Sequence, residues 1–243
     1  MKFSAPIYIL KQQAKALSRK DKIPLHDALD QIANQEGFSS WSLLAAKWTA
    51  DEAGTSLLSQ LRPGELVLLA ARPGQGKTLL SLGLAIEWMA RGDRAAFFTL
   101  EFTRADVVRC FDILDKHIKT FDHLFAIDDS DRISADYIIA QLGSAPPNML
   151  VVVDYLQLLD QNRENPSIAH QVMQLKRFAR QRRVTIVCLS QVHRSYDAAL
   201  KPFPALIDVR LPNPLDLKLF DKACFLSRGK VQVGTVAQSR EEV

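Results

Sequence analysis

Seven residues, Arg72-Pro73-Gly74-Gln75-Gly76-Lys77-Thr78, carry the chemistry most easily read from this chain. They follow the apolar run LVLLAA directly, and a helix-like pattern begins at once after them. Strand, small-residue loop and helix in that order is the setting a phosphate-binding loop needs. Such a loop aims backbone N–H groups inward, and the helix behind it adds its positive N-terminal end. Lys77 then reaches toward outer phosphates, and the Thr78 hydroxyl is suited to hold Mg²⁺. The strict pattern has glycine where Ala71 stands, but the GKT run and its context remain.

A Mg²⁺-nucleotide site also needs a carboxylate at the tip of a neighbouring strand. MLVVVD supplies Asp154, about 76 residues after Thr78, where it would bind Mg²⁺ through water. Hydrolysis needs a polarised water in line with the outer phosphate. Glu101 closes the apolar run 95–100 and is the candidate general base. Gln191 follows the run 184–190 and is the candidate sensor of the γ-phosphate. The cofactors these residues imply are ATP and Mg²⁺.

The elements that must position these groups alternate regularly. Strands are expected over 66–71, 95–100, 123–127, 149–154, 184–190 and 223–227, with a further one over 231–236. Helices are expected over 76–91, 103–118, 133–142 and 167–182. Apolar runs without period-two alternation suit strands covered on both faces, so the fold class is α/β, a mostly parallel sheet flanked by helices. Ligands bind such sheets at the carboxyl ends of the strands, where the candidate residues fall. Residues 6–48 read instead as three short helices, with Ser39 or Ser40 capping the third and Trp41 and Trp48 on one face. The expected organisation is a helical N-terminal module over 1–50, a linker over 51–61 around Gly54, and a nucleotide-binding domain over 62–243.

Composition is compatible with that plan. The 243 residues are 47% hydrophobic and 24% charged, which excludes a disordered or low-complexity chain. No apolar run approaches the roughly 20 residues of a membrane span. Three scattered cysteines offer neither a zinc spacing nor a disulfide framework, so a cytoplasmic setting is expected. The net charge of +4 is concentrated in the first 22 residues and in 163–183. Solvated helix faces account for such clusters as readily as a nucleic-acid surface does.

The run LRPGELVLLAARPGQGKT, then FFTLEF, VVVDYLQLL and CLSQVHR, resembles the C-terminal ATPase domain of DnaB-type replicative helicases, a RecA-like motor. The similarity spans roughly 57–230. It implies that Lys77 and Thr78 form the Walker A pair, Glu101 the base, Asp154 the Walker B acid and Gln191 the sensor. It also implies a ring, in the family a hexamer, around single-stranded DNA, with Arg163, Asn165, Arg194 and Arg210 as candidate DNA contacts. Two departures stand out. The family's lysine-x-arginine pair, which reaches a neighbour's nucleotide, is not found after Arg228-Gly229-Lys230, and the N-terminal module does not match the family's collar. The expected function is therefore an ATP-hydrolysing helicase-type motor on single-stranded DNA. The alternative is a nucleotide-switched partner of a related helicase, in a mixed assembly, that does not unwind DNA alone. The module is expected to cap a neighbouring motor domain, with docking of a partner as the other reading.

Overall fold

A computed structural model describes residues 3–160, 165–211 and 213–236. Its elements run α1 (Ile7–Asp21), α2 (Leu25–Gln35), α3 (Trp41–Gln60), β1 (Leu66–Ala71), α4 (Lys77–Met89), β2 (Ala95–Thr99), α5 (Arg104–Ile113) and β3 (Phe125–Asp128). They continue with α6 (Ala135–Gln141), β4 (Leu150–Asp154), α7 (Ile168–Arg182), β5 (Thr185–Gln191), β6 (Lys222–Ser227) and β7 (Lys230–Thr235). One sheet holds all seven strands in the order β3-β2-β4-β5-β1-β6-β7. Every pairing is parallel except the β6–β7 hairpin. The hairpin turns on Arg228 and Gly229, both at positive φ (50° and 78°), the geometry of a tight two-residue turn.

β1, β2 and β4 are buried along their whole length, as continuous apolar runs require. α6 and α7 cover one face of the sheet; α3, α4 and α5 cover the other. α4 is buried nearly all round because it lies between the sheet and α3. Ala50 of α3 sits where a side chain at Gly83 of α4 would meet it at 3.4 Å, so the two helices approach closely.

Two expected element bounds change. Residues 51–60 are not a linker: they form the second half of the 20-residue α3. An internal glycine such as Gly54 costs about 1 kcal/mol in a helix. Burial of Leu57 and Leu58 in the core, at roughly 1.5–3 kcal/mol each, outweighs it. The N-terminal helices also pack on their own chain. Leu44 of α3 joins Leu10, Ala28 and Ile32 in a small second core, while Ala46 and Ala50 of the same helix belong to the core beneath the sheet. Lys47, buried, pairs with Asp51 at 2.7 Å and with Asp115, just beyond α5, at 3.4 Å. Ser40 is the N-cap of α3, accepting the Leu43 N–H. The long helix expected over 103–118 stops at Ile113, and Asp115 takes a left-handed φ of 57°.

The basic stretch of α7 is largely structural. Lys176 and Arg180 both reach Asp221 at 3.2 Å, and Lys176 also donates to the Leu219 carbonyl. Among the described residues no helix is long and apolar enough to cross a membrane.

Gly54 gives a direct test of the helical reading. A Cβ there meets nothing within 4 Å. Gly54→Ala should therefore stabilise the protein by about 0.5–1 kcal/mol in urea or thermal unfolding. A flexible linker at this position would show no gain.

Candidate active site

Register puts the candidate groups on one sheet edge. Thr99 of β2 stands opposite Asp154 of β4, and Ala71 of β1 opposite Gln191 of β5. Arg72 to Thr78 leaves β1 at that same edge. The loop turns with Gln75 N–H donating to the Arg72 carbonyl, and Gly76, at φ 86°, opens α4. Lys77 Nζ lies 5.8 Å from the centroid of the Tyr155 ring. Thr78 Oγ1 donates to Asp154 Oδ2 at 3.0 Å.

Asp154 is 1% exposed, and its Oδ1 has no hydrogen-bond partner among the described residues. Burial pushes its carboxyl up to about 6. Lys77 and the Thr78 hydrogen bond pull the other way, and the Glu101 charge adds to the rise. A buried carboxylate oxygen without a partner, next to a hydroxyl, is a hard-oxygen set that fits Mg²⁺. Glu101 is exposed at the end of β2, close enough for its charge to be felt at Asp154 and Tyr155. The buried Thr99 hydroxyl accepts the Glu101 and Phe102 N–H groups at 3.2 and 3.1 Å, which fixes the turn that presents it.

Gln191 has a partner that sequence reasoning assigned elsewhere. The returning segment pairs Val209 with Val192, and Arg210 N–H donates to the Gln191 carbonyl at 2.8 Å. The Arg210 guanidinium then reaches Gln191 Oε1 at 3.4 Å. Gln157, buried, bridges the two segments: its Nε2 donates to Ser190 Oγ at 2.8 Å and to the Arg210 carbonyl at 2.5 Å. Neither Tyr155 nor Gln157 was singled out from the sequence; their signal was adjacency to Asp154 in the run DYLQ. Arg194 is found elsewhere, lining a cavity of about 310 Å³ with Arg72, Gln75, Tyr196 and Arg228. Asn165 lies in the segment leading into α7, and Arg163 lies outside the described residues.

The loop has a further neighbour. Arg228 N–H donates to Gln75 Oε1 at 3.1 Å, tying the β6–β7 turn to the loop. A Cβ at Gly76 would lie 2.5 Å from Ala46 Cβ, so α3 rests on the loop itself.

The family profile of the DnaB-like helicase C terminal domain matches residues 110–238, just over half of the chain. The chain belongs to this family. The matched segment contains Asp154, Gln191 and Arg210, whereas residues 72–78 and Glu101 precede it. Relatives include the replicative DNA helicase DnaB of Mycoplasma pneumoniae, 27% identical over 212 residues, covering 72% of this chain and 45% of the relative. The DnaB of Leifsonia xyli subsp. xyli is 26% identical over 186 residues, covering 63% of this chain and 40% of the relative. A probable plasmid replicative DNA helicase of Chlamydia trachomatis is 27% identical over 220 residues, covering 74% and 49%. The chain thus spans less than half the length of these relatives. Among solved structures, an isolated ATPase domain superposes with a TM-score of 0.60 at 22% identity, over 76% of this chain and 82% of that one. A DnaB-like replicative helicase, described with its interactions with primase, gives 0.58 at 22% identity, over 72% and 54%. Both carry the RecA-like fold expected for this DnaB-family chain.

The buried carboxylate sets a pH signature. The unfolded Asp154 carboxyl titrates near 3.8 and the folded one near 6, so between those values the folded chain holds the extra proton. Stability from this group is therefore lost as pH rises through the window. In Mg²⁺-free buffer Asp154→Asn should gain about 2–3 kcal/mol at pH 8. Urea unfolding should show the gain shrinking below about pH 6 and vanishing near pH 4. A pH-independent difference would contradict the buried charge.

Proposed function

We propose that this DnaB-family chain is a Mg²⁺-dependent ATPase motor that acts on single-stranded DNA in a ring of like subunits. The observation that carries the reading is the Thr78–Asp154 hydrogen bond, with the second carboxylate oxygen left unpartnered at the foot of the Lys77 loop. Backbone N–H groups of residues 74–78 and the first turn of α4 receive the phosphates. Lys77 sets its charge against the outer ones. Thr78 and Asp154 would hold Mg²⁺, which when bound neutralises charge on the β- and γ-phosphate oxygens. Glu101, at the neighbouring strand end, orients the attacking water and takes its proton.

In this reading Gln191, at the end of β5, is the γ-phosphate sensor, and Arg210 is bonded to it by backbone and side chain. Arg210 is the DNA-facing cation in this reading. In this reading the Gln191–Arg210 pair links the phosphate end of the site to the DNA-facing cation. Arg194 belongs to a separate basic rim with Arg72 and Arg228.

The test is ATP turnover by the full chain with and without single-stranded DNA. Lys77→Ala should abolish turnover and weaken nucleotide binding. Glu101→Gln should still bind ATP, and its turnover should fall by about 10²–10⁴. Arg210→Ala should weaken DNA binding and reduce the slope of log affinity against log salt by about 1. Turnover that is unchanged in Glu101→Gln would move the base to another residue.

A further inference from the structure

A cavity of about 330 Å³ opens beside the phosphate loop, between the loop, the β6–β7 turn and the N-terminal helices α1 and α3. Its walls include two aromatic rings, Tyr8 and Trp41, and the polar side chains of Lys11, Ser42, Gln75 and Arg228. We propose that this cavity receives the base and ribose of the bound nucleotide, so that the N-terminal helices complete the nucleotide site. The proposal rests on reading residues 72–78 as the phosphate loop.

Topology sets the direction. On one side of β1 lie β5 and β4, with Gln191 and Asp154 at their ends. That side is occupied by the groups that act on the outer phosphate. The nucleoside must leave the loop the opposite way, toward β6. The cavity lies on that side, and it shares Gly74 and Gln75 with the loop. A ligand with phosphates at one end and a flat heteroaromatic ring at the other would fill both spaces.

The lining suits such a ring. Pockets that hold small ligands start at about 300 Å³ and join apolar walls to a few polar groups. Tyr8 is 63% exposed, unusual for so large a ring, and offers a face for stacking. The polar side chains offer hydrogen bonds to ribose hydroxyls and base edges. The wall is also fixed against the loop. Ala46 abuts Gly76, and Thr49 Oγ1 would lie 3.1 Å from a Cβ at Gly229. The neighbouring cavity, which shares Gln75 and Arg228 with this one, is less suited, because Arg72 and Arg194 line it as well and three cations favour an anion over a neutral base.

The test compares ATP with inorganic tripolyphosphate, which has the phosphates and no nucleoside, by calorimetric titration of the full chain with Mg²⁺. The parent should bind ATP more tightly. Tyr8→Ala should weaken ATP about tenfold, within the range for loss of one stacking ring, and leave tripolyphosphate unchanged. Tyr8→Phe should restore ATP affinity. Ser42→Trp, which fills the cavity from an exposed position, should block ATP and spare tripolyphosphate. Equal ATP affinity in the parent, Tyr8→Ala and Ser42→Trp would overturn the proposal and leave the phosphate loop standing. So would equal losses of both ligands in those variants. A parent that binds neither ligand would overturn the phosphate-loop reading itself, and this proposal with it.

Discussion

A carboxylate that water cannot reach is costly to keep charged, and the candidate site of this chain is arranged around one. Asp154 ends a strand buried on both faces, so its position is dictated by the sheet and its ionisation by what stands opposite. Lys77 and Thr78 offset part of the desolvation, which is why the loop and the strand end must meet. That meeting depends on the strand order. β5 lies between β4 and β1, and the right spacing brings the first turn of α4 across to the carboxylate. The Glu101 turn and the Gln157 bridge add to this frame from the neighbouring strand and loop.

Much of this was legible in the residues. LVLLAA and MLVVVD read as doubly covered strands because nothing polar interrupts them, and each ends on the group that does chemistry. Glycine and GKT mark where the chain must turn and where a helix must start. The pairing of Gln191 with Arg210 was not legible, because it joins residues 19 apart through a return loop without regular pattern. Arg210 was recognised as a cation of interest, but its contact with the γ-phosphate candidate exists only once β5 is extended by the Val192–Val209 bridge.

The region 51–60 shows the opposite error. Asp, Glu, Gly, Thr and Ser in close succession have the composition of a connection, and local propensity alone favours one. Tertiary burial decided otherwise. Small residues at 46, 50 and 53 carry little hydrophobic signal, yet they let α3 lie close on α4 and on Gly76. Close approach of helices depends on what is missing from a side chain, and periodicity of large apolar residues does not report it.

Because α3 belongs to two cores at once, it ties the three N-terminal helices to the sheet. Leu44 in one core and Leu57 and Leu58 in the other lie on the same helix, with Lys47 buried between them. Unfolding of α3 would open both cores together, so part of the protection of amide protons in α1 and α2 should follow that of α3. A ligand that binds tightly at the sheet edge and stabilises α3 should then slow hydrogen exchange in the N-terminal helices as well, by mass action on that shared opening.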